Sequence, residues 1–247
     1  MTIIIVPDIH NNYEQAETII ESEGADQVVL LGDYFDNFGE EIDSVSNTAL
    51  WLSNSLKKKN RIHLIGNHDL SYMTKNRQLK CSGYNDFKMW SICQYMRQSD
   101  WDKLVFHYWI DDWLCTHAGV SRQFFEAYSE EYSIKDFMRK QEQSAKLALS
   151  KDTKHIFFNV SDMRGGHDLF SGILWCDYSE FTPIPNVKQI FGHTADDEPR
   201  IIKDVKLSKL QMNTSNVCLD THLNYYGIYD GELKIKSTHN KLNQISV

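Results

Sequence analysis

Five times along this chain a short apolar run ends in a polar segment carrying histidine, aspartate or asparagine. Ile3-Ile4-Ile5-Val6 leads to Asp8-Ile9-His10, Val28-Val29-Leu30-Leu31 to Gly32-Asp33-Tyr34-Phe35-Asp36, and Ile62-His63-Leu64-Ile65 to Gly66-Asn67-His68-Asp69. Trp113-Leu114-Cys115 leads to Thr116-His117-Ala118-Gly119, and Gln189-Ile190-Phe191 to Gly192-His193-Thr194. Runs of this length and apolarity read as buried strands. Polar groups at the carboxyl ends of separate strands converge on one face of a sheet, where α/β folds place their sites. One site drawn from positions 8 to 193 requires one folding unit, so the 247 residues read as a single α/β domain. Carboxylates, an amide and imidazoles gathered in one place are the donors of a metal centre.

The intervening segments fit that frame. Asn11 or Asn12 can cap a helix with Tyr13, Ala16, Ile19 and Ile20 on one face, ending near Gly24. From about 42 to 59, Ile42, Val45, Ala49, Leu52 and Leu56 recur at helical spacing, and Lys57, Lys58 and Lys59 suit the carboxyl end of the helix dipole. The opening therefore reads β-α-β-α-β with right-handed parallel crossovers. Residues 70–103 form an aromatic-rich insertion with Tyr72, Tyr84, Phe87, Trp90, Tyr95 and Trp101, which can face a ligand or pack a satellite core. Residues 104–116 read as two strands about Asp111-Asp112, 121–150 as helical, and 151–170 as a loop around Arg164-Gly165-Gly166-His167. The last third alternates strands and turns, with an Asp230-Gly231 hairpin between Tyr226 and Ile235, and Lys241 to Val247 reads as a loose tail.

Charge and cysteine usage narrow the functions open to such a chain. With 26 Lys plus Arg against 34 Asp plus Glu, the formal charge is −8, which opposes an extended cationic face for duplex nucleic acid. No stretch approaches the roughly 18 apolar residues of a membrane span. Ile3 to Val6 already belong to the first strand, so a removable leader is not expected and a cytoplasmic location is. Cys81, Cys93, Cys115, Cys176 and Cys218 are odd in number and form no C-x-x-C pair, which points to reduced thiols.

Taken in order, D-x-H, G-D-x-x-D, G-N-H-D, H-A-G and G-H-T resemble the calcineurin-like metallophosphoesterases, most closely the branch of phosphoprotein phosphatases (PPP) and diadenosine tetraphosphatases. Leu174-Trp175-Cys176-Asp177 and Leu219-Asp220-Thr221 are similar to two further segments of that branch, and the likeness runs from residue 3 to about 235. The resemblance implies a four-layer α/β sandwich, two mixed sheets flanked by helices. It also implies two divalent cations about 3.5 to 4 Å apart. Asp8, His10 and Asp33 would bind the first, Asp33 would bridge, and Asn67, His117 and His193 would complete the second. The nitrogen and oxygen donors suit Mn, the first expectation, or Fe or Zn. The implied reaction is in-line attack on phosphorus by metal-activated water, with His68 as general acid and Asp36 holding its other nitrogen. Asp69 is expected to support the site from behind. The implied partner is a phosphorylated substrate, whether phosphoprotein, nucleotide or nucleic-acid end, with phosphomonoesters foremost.

The chain also departs from that branch. Its protein phosphatases carry arginines where this sequence has Asn37 and Ile65, and neither replacement imitates a bidentate guanidinium on phosphate. The usual glycine after D-x-H is Asn11. Asn37 can still donate one hydrogen bond, and Arg164 is either a replacement contact or an ordinary surface arginine. This keeps phosphodiesters and dinucleoside polyphosphates open as rival substrates. A nonenzymatic metal-binding scaffold is the third reading, opposed by an intact donor set. His63 alternates within a strand, and His107, His155, His167, His222 and His239 lie outside the motifs, so all six read as structural, although His167 and His222 adjoin segments expected near the site. The Trp175-Cys176-Asp177 segment reads as packing.

Overall fold

A computed structural model of the chain describes residues 1–37, 41–130, 132–203, 206–207, 210–211, 214–239 and 244–247. The first three apolar runs form β1 (Ile3–Val6), β2 (Gln27–Leu30) and β3 (Arg61–His63), paired in parallel with Ile5 opposite Val29 and Val29 opposite Ile62. They are joined by α1 (Tyr13–Glu23) and α2 (Ile42–Ser55), where the periodicity places helices. Gly24 ends α1 in the left-handed conformation, but Asn12 makes no side-chain cap at its start. After β3 come α3 (Asn67–Met73), α4 (Asp86–Cys93) and α5 (Gln98–Trp101). The antiparallel strands β4 (His107–Ile110) and β5 (Trp113–Thr116) turn at Asp111-Asp112, and α6 (Arg122–Tyr128) and α7 (Ile134–Ser150) share the next helical span.

The remaining strands are β6 (Lys188–Phe191), β7 (Arg200–Lys203), β8 (Lys206–Leu207), β9 (Leu210–Gln211), β10 (Ser215–Cys218), β11 (Tyr225–Tyr229), β12 (Leu233–Ser237) and β13 (Gln244–Ser246). They complete two mixed sheets, ordered β13-β12-β11-β1-β2-β3 and β4-β5-β6-β10-β7, beside the short pair β8-β9. The expected tail needs correcting. Residues 241–243 lie outside the described residues, but Gln244 to Ser246 pair with Lys236 to Lys234, because the edge of β12 offers unpaired backbone groups.

Strand alternation decides what each face meets. Ile3, Ile5, Val29 and Leu31 join Trp113, Cys115, Ile190 and Val217 of the other sheet in one buried layer. Ile4, Val6, Val28 and Leu30 pack instead with Ala16 and Ile19 of α1 and with Val45 and Ala49 of α2. Burial on both faces is why these strands read as continuous apolar runs, and each such side chain stabilises the fold by roughly 1.5–3 kcal/mol. Leu114 of β5 packs in the same way with Phe124 of α6 and Phe137 of α7. Helices therefore cover the outer faces of two facing sheets, the four-layer α/β sandwich.

The insertion divides its aromatics. Tyr72 and Trp101 are buried, with ring centroids 5.6 and 6.1 Å from Phe35, whereas Phe87 and Trp90 are 80% and 67% exposed. No helix among the described residues is long and apolar enough to cross a membrane. All five cysteines are free.

Candidate metal centre

Six strands, three from each sheet, end at one place. Asp8 and His10 follow β1, Asp33 follows β2, Asn67 and His68 follow β3, His117 follows β5, His193 follows β6 and Asp220 follows β10. Crowding so many side chains together strains the backbone: His10, Asp33, Asp36 and His193 have φ of 44°, 50°, 68° and 72°. Each such non-glycine residue costs about 1 to 3 kcal/mol and persists only where its surroundings over-determine it. Asn11, standing at the usual glycine position, also has a positive φ, 64°, which asparagine tolerates better than most residues. Two motif glycines serve close approach instead. A Cβ on Gly66 would overlap the Asp33 carboxylate, and one on Gly192 would overlap that of Asp8.

The imidazoles are oriented from behind. His10 Nδ1–H donates to the carbonyls of Phe35 (3.0 Å) and Asp36 (2.8 Å), and its Nε2 lies 3.7 Å from Asp33 Oδ2. His117 Nδ1–H donates to Leu31 O at 3.0 Å, and its Nε2 lies 2.9 Å from Asn67 Oδ1 and 3.4 Å from Asp33 Oδ2. A carbonyl behind each ring selects the tautomer that leaves the other nitrogen's lone pair for a cation. His193 brings Nδ1 to within 2.9 Å of the same Asn67 oxygen, while its backbone N–H donates to Asp8 Oδ1 at 2.9 Å. The donors fall into two sets, Asp8–His10–Asp33 and Asp33–His117–His193, each with its atoms within 4.8 Å of one another. Asp33 is common to both.

The electrostatics fit divalent cations. Asp8 Oδ2 and His193 Nε2 are buried without a hydrogen-bond partner. Burial, with the charges of Asp220 and Asp33 adding to it, pushes the Asp8 carboxyl well above its ordinary value. Burial opposes the charging of His117, yet Asp33 outweighs it and lifts the imidazole to about 9. Buried carboxylates facing one another are costly unless cations lie between them. The donors present match that need.

His68 stands at the edge of this cluster, its ring centroid 5.2 Å from that of His10. Its backbone N–H donates to Asp33 Oδ1 (3.0 Å), and its Nδ1 lies 2.9 Å from Asp36 Oδ2. The other Asp36 oxygen accepts from Tyr72 (2.6 Å) and Lys88 (2.8 Å). Asp69 is fully buried and accepts from the backbone N–H groups of Asp33, Tyr34 and Gly66, tying the turn after β2 to the turn after β3.

The remaining expected contacts are placed unevenly. Asn37 is exposed beside Asp36, and Ile65 is buried in the core, 1% exposed. Arg164 is half-buried, donating to Thr194 Oγ1 (3.1 Å) next to His193 and pairing with Asp177 Oδ2 (2.8 Å), while its Nε is buried without a partner. The Trp175 ring lies 5.9 Å from that of His193, so its segment borders the centre. His63 is bonded to Ser55 in the core, and the His167 side chain is 98% exposed. The motifs did not single out three residues that the structure brings here, Tyr72, Cys81 and Lys88. Asp220 lay in the matched Leu219-Asp220-Thr221 segment but was not assigned to the site, and the structure brings its charge to bear on Asp8.

A strand-end cradle shared by two donor sets, on two facing mixed sheets, has the layout expected of a metal-dependent phosphoesterase. The family model of the calcineurin-like phosphoesterases matches residues 1–197, and the chain belongs to that family. Among solved structures it is similar to the cold-active protein-tyrosine phosphatase of Shewanella sp., at 15% identity and a TM-score of 0.60 over 99% of this chain and 80% of that one. It is also similar to a protein serine/threonine phosphatase of Saccharomyces cerevisiae, at 13% identity and a TM-score of 0.50 over 100% of this chain and 79% of that one. Likeness at these identities concerns the fold. No curated protein sequence matches the chain significantly.

Proposed function

We propose that the protein is a binuclear metal-dependent phosphatase of PPP-like type that hydrolyses phosphomonoesters. The observation that carries this reading is Asp33, common to two donor sets, with His68 held at their edge by Asp36. Asp8, His10 and Asp33 would hold one cation, and Asp33, Asn67, His117 and His193 the other, Mn foremost and Fe or Zn also suited. When bound, the cations supply charge for the phosphoryl oxygens and acidify a water.

The chain's own residues do the rest. Asp36 engages Nδ1 of His68, leaving Nε2 to protonate the departing oxygen. Tyr72 and Lys88 hold Asp36 in turn, so the imidazole cannot easily rotate away. Burial works against a charged His68, but Asp33 and Asp36 outweigh it and push the group up to about 12. Cations sharing the Asp33 charge would bring it down towards the range of a useful acid. A site spanning Asp8 to Asp220 is in keeping with one catalytic unit, and five free thiols with a reducing, cytoplasmic setting.

One observation favours a second reading, hydrolysis of phosphodiesters or dinucleoside polyphosphates. Ile65 is buried and Asn37 is short, so neither arginine of the protein phosphatases has a counterpart at its own position. Arg164, beside Thr194, is the replacement contact we assign, with Asn37 as a minor donor. Turnover of p-nitrophenyl phosphate against bis-p-nitrophenyl phosphate and diadenosine tetraphosphate separates the readings. Faster monoester turnover is expected, and a preference for the diester or the anhydride would replace the first reading by the second.

A further inference from the structure

Beside the cradle, three donors converge that include one the cradle lacks, a sulfur. Asp36 Oδ2, His68 Nδ1 and Cys81 Sγ lie within 4.8 Å of one another. Nδ1 is 2.9 Å from Oδ2 and 3.3 Å from Sγ. Tetrahedral zinc has bonds of about 2.0 to 2.3 Å, which sets its donors roughly 3.3 to 3.8 Å apart. The Nδ1–Oδ2 and Nδ1–Sγ separations therefore need to open by only about half an ångström or less to accept the ion.

The three side chains are already positioned. Cys81 donates its backbone N–H to Ser71 Oγ (2.9 Å), whose hydroxyl donates back to Sγ (3.1 Å). Tyr72 and Lys88 occupy the far oxygen of Asp36, so Oδ2 is turned to His68. Cys81 also lines a cavity of about 490 Å³ with Arg164 and Trp175, which gives an ion a path from solvent.

We propose that Asp36, His68 and Cys81 form a third, inhibitory site for a thiophilic divalent cation such as Zn²⁺ or Cd²⁺. The cation takes one lone pair from each residue and displaces the proton on Nδ1 and the thiol proton, both released to solvent with no change of oxidation state. The sulfur distinguishes this site from the cradle, whose nitrogen and oxygen donors favour a thiophilic ion less strongly. The Lys88 ammonium opposes the ion, so the site fills after the cradle. With Nδ1 ligated, His68 no longer forms the imidazolium that protonates a leaving oxygen. This consequence rests on the acid role proposed above, whereas the binding does not.

The test uses Mn-loaded protein titrated with Co²⁺ and, separately, Zn²⁺. One equivalent of Co²⁺ should give a sulfur-to-cobalt charge-transfer band in wild type and in Cys93→Ser, but none in Cys81→Ser. Zn²⁺ should inhibit aryl phosphate hydrolysis, with the inhibition weakened by about tenfold or more in Cys81→Ser. Lys88→Gln should tighten Co²⁺ binding, a gain that misfolding cannot mimic. A band that survives Cys81→Ser, or zinc inhibition equal in both proteins, would overturn the proposal and point to exchange within the cradle. If no form of the protein turns over substrate, the phosphatase reading fails by itself, and the cobalt band still decides the site.

Discussion

The cradle and the 70–103 insertion meet at Asp36 and His68, and they are built differently. The cradle hangs from strand ends whose register cannot slip by one residue without turning every side chain to the opposite face. The insertion reaches the same place through α4 and α5, helices of eight and four residues, held by Tyr72 and Trp101 against Phe35. Fixed geometry serves the donors of the two metal sets. The insertion supplies Tyr72, Cys81 and Lys88, which contact Asp36 and the proposed acid His68. On this account, changes in the cradle abolish catalysis, and changes in the insertion grade it.

The largest expected effect lies in the cradle. Asp33→Asn should lower turnover by about 10³-fold or more, roughly 4 kcal/mol of barrier, with metal content below two ions per chain by plasma mass spectrometry. His68→Asn, at the border, should cost about 10² to 10³ in kcat while keeping both metals. Its effect should be smaller on nitrophenyl than on alkyl phosphates, because a good leaving group needs its proton less. Lys88→Met, within the insertion, should lower kcat by only about tenfold. A loss as large as that of Asp33→Asn would break the comparison, since the insertion would then be as rigidly required as the strand ends.

The smallest effect on activity is expected far from both regions. Glu17 pairs with Arg61 through two hydrogen bonds of 2.5 and 2.7 Å. Burial pushes the Glu17 carboxyl up, but the hydrogen bonds from Arg61 and Trp51 outweigh it and hold the group below its ordinary 4.5. Its stabilisation is therefore complete above pH 4.5 and is lost as pH falls through the lowered native value. Glu17→Gln should cost about 1–3 kcal/mol at neutral pH, by leaving Arg61 poorly paired, and should flatten the acid limb of a denaturation-against-pH curve. Unchanged kcat in this variant would sharpen the contrast between scaffold and site.

The same division explains what the sequence made legible. Each strand end carries both an apolar run and a donor, so Asp8, Asp33, Asn67, His117 and His193 announce their place and chemistry together. Cys81, in the turn before α4, and Lys88, on α4, reach His68 and Asp36 only through tertiary docking, which no local pattern encodes. Asp220 was legible as part of the Leu219-Asp220-Thr221 segment, but a single acid after β10 carries no sign of a role, and only the fold shows that its charge reaches Asp8. Gln244 to Ser246 are mostly polar, and their strand exists because β12 offers an edge. Arg164 could be located only once its ion pair with Asp177 placed it beside Thr194.

The central claim is that one cradle holds two cations and hydrolyses phosphomonoesters. Metal content and turnover of p-nitrophenyl phosphate, measured on the same Mn-reconstituted samples of wild type and Asp33→Asn, test it most directly. The account predicts two ions per wild-type chain and monoester turnover that Asp33→Asn loses together with metal. Full turnover by Asp33→Asn, or no turnover by wild type with Mn, Fe or Zn, would contradict it.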